Sequence, residues 1–232
     1  MIIEEEEAPE AEITFTESRV LGCLLEKEKT TPDHYPMTLN GLQSACNQKS
    51  SREPVTEFDE CVIENALMTL RDKHLAAMVR LSGSRVPKYK HTFENNYNLD
   101  EGQIALLCVL MLRGIQTAGE LNQRTERIHN FSSVAAVEHT LETLIDYPPG
   151  ALVRKLPPGH GRRVTTYAHL LCGEPENQPI AVSAGGGSVS TEQIVLEEEA
   201  SWRKKLEDEV AALRTEVAEL RETLEQFRQQ FE

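Results

Sequence analysis

The sequence predicts a mainly α fold with small β-hairpins (α+β), arranged as two tandem three-helix repeats followed by a C-terminal coiled-coil helix. Three observations carry that expectation. Residues 15–172 contain an internal repeat, residues 173–191 have the composition of a linker, and residues 192–232 carry a seven-residue apolar period.

The repeat is read element by element. Phe15-Thr16-Glu17-Ser18-Arg19-Val20 opens a helical pattern that runs to about Glu28, and Asn98 to Ile104 opens a similar one that runs to about Arg113. Each has a Thr or Asp N-cap candidate ahead of apolar positions at helical spacing. A short second helix follows in each half, Thr38 to Cys46 and Thr117 to Arg124. The third helices, about Glu57–His74 and Ser133–Asp146, align best: Glu64, Leu67, Leu70, Val79 and Arg80 reappear 74 residues later as Glu138, Leu141, Leu144, Val153 and Arg154. Two strand-like stretches around a Gly-containing turn come next, Ala77–Leu81 with Val86–Phe93, then Ala151–Leu156 with Arg163–His169. Tyr89 matches Tyr167. Helix, helix, helix, hairpin is the order of the winged helix, in which the hairpin is the wing. Residues 15–95 and 96–172 are therefore expected to be two winged-helix repeats.

Residues 1–14 form an acidic N-terminus expected to be disordered. Residues 173–191 combine Gly, Pro, Ser and small residues without a helical period, as a flexible linker does. Beyond it, Leu206, Leu213, Leu220 and Phe227 recur at one seam position, and Val210, Val217, Leu224 and Phe231 at the other. Val at a with Leu at d favours a parallel two-stranded coil. In that register Glu209 meets Arg214 of a second copy, and Glu216 meets Arg221. A homodimer through the C-terminal helix is expected.

Several function classes are disfavoured. The longest apolar run, Ile104 to Leu112, is far short of the roughly 20 residues a membrane span needs. The acidic start lacks the basic and apolar regions of a secretory signal, so a cytoplasmic protein is expected. Five widely spaced cysteines contain no CxxC pair, and Cys23, Cys61 and Cys108 read as small core residues in helical patterns. Seven histidines form no HExxH or comparable metal pair, and no GxSxG, phosphate-binding loop or strand-anchored GxGxxG occurs. No cofactor, metal or catalytic role is expected.

The run Leu21 to Glu28, then Tyr35-Pro36-Met37-Thr38-Leu39-Asn40, then Ala45-Cys46-Asn47-Gln48-Lys49-Ser50-Ser51-Arg52-Glu53-Pro54 resembles the YceH-like family of bacterial proteins. The resemblance covers roughly residues 13–172 and continues into the C-terminal helix. It implies a tandem winged helix with a C-terminal coiled coil and brings no established activity with it.

The charge of −14 is confined to the ends of the chain. Residues 1–14 hold six acids and no bases, residues 192–232 twelve acids and six bases, and Glu174 and Glu176 lie in the linker; residues 15–172 balance at 18 of each. Binding to nucleic acid draws most of its affinity from phosphate contacts, so cations are required where a backbone passes. The wings supply them: Arg80, Arg85, Lys88 and Lys90 beside His91 in the first, and Arg154, Lys155, Arg162 and Arg163 beside His160 in the second. Lys49 and Arg52, in the loop before the first of the third helices, are candidates to join them. The third helices do not fit this role. Glu57, Asp59, Glu60 and Glu64 crowd the first, and Glu138, Glu142 and Asp146 occupy the second without a Lys or Arg. Two partner classes stay open: nucleic acid through the wings, or a protein through the repeats and the coil.

Overall fold

A computed structural model describes residues 12–80, 86–148, 150–158 and 164–173. The chain divides into two compact units, residues 1–188 and 189–232, and every described residue belongs to the first. The expected linker and the expected coiled-coil seam, Leu206, Val210, Leu213, Val217, Leu220, Leu224 and Phe227, lie outside the described residues, as does the N-terminus up to residue 11.

The described residues form an α+β fold of six α-helices and two small antiparallel sheets. Helix α1 (Phe15–Thr30), strand β1 (Met37–Thr38), α2 (Leu39–Cys46), α3 (Glu60–Asp72), β2 (Ala76–Val79) and β3 (Lys88–His91) come first. Helices α4 (Glu101–Arg113), α5 (Ala118–Thr125) and α6 (Val134–Ile145) follow, then β4 (Val153–Leu156) and β5 (Thr166–His169). Each helix starts where a short polar side chain takes up a free amide. Thr14, Thr38, Asp59, Asp100, Thr117 and Ser133 are the six N-caps. Three of them are reciprocal boxes: Thr14 with Glu17, Asp100 with Gln103 and Thr117 with Glu120.

The duplication extends beyond what the sequence shows. In the first copy β1 adds a third strand, giving the order β1-β3-β2 with Met37 opposite Tyr89. In the second copy a single bridge occupies the same place: Gln116 faces Tyr167, with amide-to-carbonyl distances of 3.0 and 2.7 Å in the two directions. Met37 and Gln116 each directly precede the N-cap threonine of the next helix.

The strand alignment differs from the expected one by three residues. The Leu75 amide closes back on the Leu70 carbonyl at 2.8 Å, and Thr92 N–H donates to Leu75 O at 2.9 Å. Leu152 closes back on Leu144 at 2.9 Å, and Leu170 N–H donates to Leu152 O at 2.8 Å. Leu75 therefore corresponds to Leu152, and β2 begins at the counterpart of Val153. The Pro- and Gly-containing link after α6 is three residues longer than its partner, so the constant offset of the helices does not carry into the sheet. Val79 and Arg80 are not the counterparts of Val153 and Arg154. Tyr89 and Tyr167 do correspond, each two residues before a buried histidine that ends its strand, His91 or His169.

The two copies share a core. Residues 16–25 of α1 are all buried, and so are 105–112 of α4, so neither helix has a solvent stripe in those spans. They pack directly on each other. A Cβ at Gly22 would stand 3.0 Å from Leu112 Cδ2 and 3.2 Å from Met111 Cβ, and the Cys108 thiol donates to Gly22 O at 3.4 Å. The break near residue 95 thus separates two copies of an element pattern, while α1 and α4 fuse them into one body. Cys23, Cys46 and Cys108 lie in that interior, whereas Cys61 is exposed on α3 and is not the core residue its apolar surroundings suggested.

Candidate functional site

The two hairpins carry cations on their outer faces. In β3, Tyr89 and His91 are buried and Lys88 and Lys90 take the other face, half-buried and opposite Val79 and Ala77. In β4, Val153 is buried and both Arg154 and Lys155 are exposed. Arg80 is exposed just past the end of β2. The remaining wing candidates, Arg85, Arg162 and Arg163, lie outside the described residues. The three-residue shift sets Arg154 and Lys155 at the positions of Ala77 and Met78, so the two hairpins do not present cations at equivalent places. His91 does not join the cationic face. Its ring nitrogens stand 2.9 Å from Glu28 Oε2 and 3.2 Å from Glu94 Oε2 beneath the sheet.

Arg52 is not available to a phosphate. It is 3 % exposed. Its guanidinium meets Glu26 as a fork, Nη1 to Oε1 at 3.2 Å and Nη2 to Oε2 at 2.6 Å, while Nε donates to Ala45 O at 3.0 Å. Burial pushes the Glu26 carboxyl up, and the Arg52 guanidinium more than offsets this, leaving it below its ordinary value. Arg52 is a clamp that ties the α2–α3 loop to α1. Asn47 completes the clamp by pairing with Phe58 as a strand would, accepting from its amide at 2.8 Å and donating to its carbonyl at 2.7 Å. Lys49, three residues from Arg52, is exposed.

The third helices keep the character expected of them. Glu60, Glu64, Asn65 and Met68 are exposed on α3, Met68 at 56 %. Glu138, His139 and Glu142 are exposed on α6, with Val134 at 41 %. Acids at the start of α3 complement the helix dipole. Glu138 and Glu142 lie beyond the first turn of α6, so the dipole does not account for them.

A second concentration of charge was not foreseen. The ends of α1 and α4, the loop after α2 and the end of α5 enclose a cleft of about 460 Å³, lined in part by Lys27, Lys49, Arg113, Arg124 and Arg127. These residues are far apart in the sequence; Lys27, Arg113 and Arg124 taken singly read as cations in the last turn of a helix, and Lys49 as a loop cation. Only the packing of α1 against α4 brings them together. Among the described residues no group of three or more His, Cys, Asp or Glu could hold a metal ion. No described helix is long and apolar enough to cross a membrane.

Comparison with known proteins finds relatives along nearly the whole chain. Residues 13–162 match the family model described as "Protein of unknown function, DUF480". A UPF0502 protein of Solibacter usitatus is 47% identical over 222 residues, 95% of this chain and 98% of its own length. Another, of Geotalea uraniireducens, is 46% identical over 223 residues, 96% of this chain and 100% of its own. One of Herminiimonas arsenicoxydans is 44% identical over 233 residues, covering 98% and 94%. The protein belongs to this DUF480 family of UPF0502 proteins, the YceH-like family that its first-half motifs resemble.

Proposed function

We propose that the chain is a non-catalytic, cytoplasmic nucleic-acid-binding regulator, in which two winged-helix units touch duplex backbones through their hairpins and the C-terminal helix pairs two chains. The observation that carries this reading is the repeated sheet. A bridging residue before the second helix, Met37 or Gln116, pairs with the tyrosine of the returning strand in both copies, and each hairpin turns Lys or Arg away from the core. A short strand that closes a three-helix unit with a cationic wing is the geometry in which winged helices meet phosphates. The acidic third helices fit a mode in which the wings and loops supply the contacts and the helices do not enter the major groove.

Fluorescence anisotropy with a mixed-sequence duplex tests the reading. If about four phosphates are neutralised, affinity should fall roughly a hundredfold between 50 and 200 mM salt. Changing Arg85, Lys88, Arg162 and Arg163 together to Glu should abolish binding and leave the circular dichroism and melting temperature unchanged. Binding that ignores salt, or survives the quadruple change, overturns the proposal.

A second reading is favoured by Met68, Glu64, Glu138 and Glu142, exposed on helices that a base-reading protein would make basic. On that reading the third helices dock a partner protein that carries a basic, partly apolar surface, and the chain is an adaptor. Co-precipitation from lysate with and without nuclease separates the two. A protein partner survives nuclease and is lost on Met68→Glu, whereas a nucleic-acid-bridged set disappears.

A further inference from the structure

The cleft between the two copies holds more positive charge than the fold requires. Four helices terminate around it, and a helix C-terminus carries about half a negative charge that one cation in the last turn complements. Lys27, Arg113 and Arg124 fill that role for α1, α4 and α5. The end of α2 is served by others, since Arg52 Nε donates to Ala45 O at 3.0 Å and Thr56 Oγ1 to Cys46 O at 3.1 Å. Lys49 and Arg127 are thus surplus to the helix ends. Both are exposed and neither makes an ion pair among the described residues.

The remaining carboxylates do not neutralise the wall. Glu26 is occupied by Arg52 at 2.6 Å and Lys27 at 3.2 Å. Glu53 is shared by Arg113 at 3.8 Å and Arg124 at 3.9 Å, both too long for a hydrogen bond. Glu120, in contact with Arg124 at 3.5 Å, accepts from Thr117 N and Thr117 Oγ1, each at 2.9 Å. Arg124 also donates to Gln116 Oε1. Burial, and after it the neighbouring Arg124, hold the Arg113 guanidinium below its ordinary value. Ser50 and Ser51 line the same space.

We propose that this cleft binds a compact polyphosphate, the diphosphate group of a small molecule, gripped by Lys27 and Lys49 from the first copy and by Arg113, Arg124 and Arg127 from the second. The volume of about 460 Å³ is that of a small-ligand site and not of a duplex groove contact. Cations converging from two copies match several negative charges on one small body, and guanidinium forks and hydroxyls suit phosphate oxygens. A ligand seated there bridges the two copies next to the α1–α4 contact and tightens the body that carries both wings. The site is separate from the wings and stands or falls without them.

Calorimetric titration and thermal melting of the full chain with inorganic pyrophosphate, a nucleoside diphosphate and a matched-ionic-strength chloride control test the proposal. Saturable binding is expected, with the melting temperature raised by about 5 °C at a hundredfold excess over Kd. Equal affinity for both probes assigns the site to the diphosphate itself, and tighter nucleoside diphosphate binding assigns it to a nucleotide. The double variant Lys49→Gln/Arg127→Gln, which removes no ion pair among the described residues, should melt at the parent temperature without ligand and bind at least tenfold more weakly. The wing variant carrying Glu at 85, 88, 162 and 163 should keep full pyrophosphate affinity. No response beyond that to chloride overturns the proposal, and so does unchanged affinity in the double variant or loss of affinity in the wing variant.

Discussion

Arg52 shows how far a residue's role depends on what surrounds it. Beside Lys49 in a polar loop it reads as a surface cation, yet the chain turns it inward onto Glu26, where the fork replaces water for both charges. Such pairs are costly to break singly, because the survivor is left buried and uncompensated. Arg52→Ala should therefore lower stability by about 3 kcal/mol in urea denaturation, and the Arg52→Ala/Glu26→Ala double variant should recover part of that loss. His169 gives a pH dependence of definite sign. Burial pushes it from its ordinary 6.5 down to about 4. The unfolded chain takes up this proton near 6.5 and the folded chain does not until about 4, so stability is full above pH 6.5 and declines as pH falls through that window. Replacing His169 with Leu should flatten the stability profile between pH 7 and 4 by roughly 3 kcal/mol. Neither residue was legible beforehand. A loop arginine and a strand histidine carry no periodicity that says which way they face.

At the scale of elements, much more could be read. Six helices begin at short polar caps, a local chemistry of side-chain oxygen and free amide that needs only neighbouring residues. What escaped is what local chemistry does not encode. The single-residue bridge of Gln116 to Tyr167 leaves no alternating pattern, and the three-residue slip between the copies arises in a loop whose length the helical offset ignores. The contact of α1 with α4 escaped for a related reason. α4 is apolar all round over residues 104–112, and α1 is buried all round over residues 16–25 although Thr16, Glu17, Ser18 and Arg19 are polar, so neither sequence marks the face that meets the other copy. Gly22 marks it in the structure. A Cβ there already meets Leu112 at 3.0 Å, and a branched side chain has nowhere to go. Gly22→Val should cost roughly 2 kcal/mol or more through overpacking, and Leu112→Ala in the same chain should relieve part of it. Equilibrium denaturation of the two single variants and the double measures that relief. Strict additivity would show that the helices do not meet at this point.

At the scale of the molecule, the hairpins and the ends of the chain carry opposite charge. Residues 15–172 are neutral, with most of their cations on the hairpin segments and in the cleft and their acids spread over the helices and loops, while the N-terminus and the segment after the linker are acidic. An acidic end repels duplex, so on the proposed reading affinity must come from the number of wings that engage at once. A zipper of Val210, Leu213, Val217 and Leu220 would raise that number from two to four by pairing chains. Placing Asp at both Leu213 and Val217 in the full chain should halve the sedimenting mass at tens of micromolar without changing the helical and hairpin signals of the repeats. If four wings act together, the same variant should lose about half of the salt slope of duplex binding, since each chain then releases only its own counter-ions. A slope that stays unchanged while the mass halves would mean that each chain binds alone and that pairing serves something other than nucleic acid.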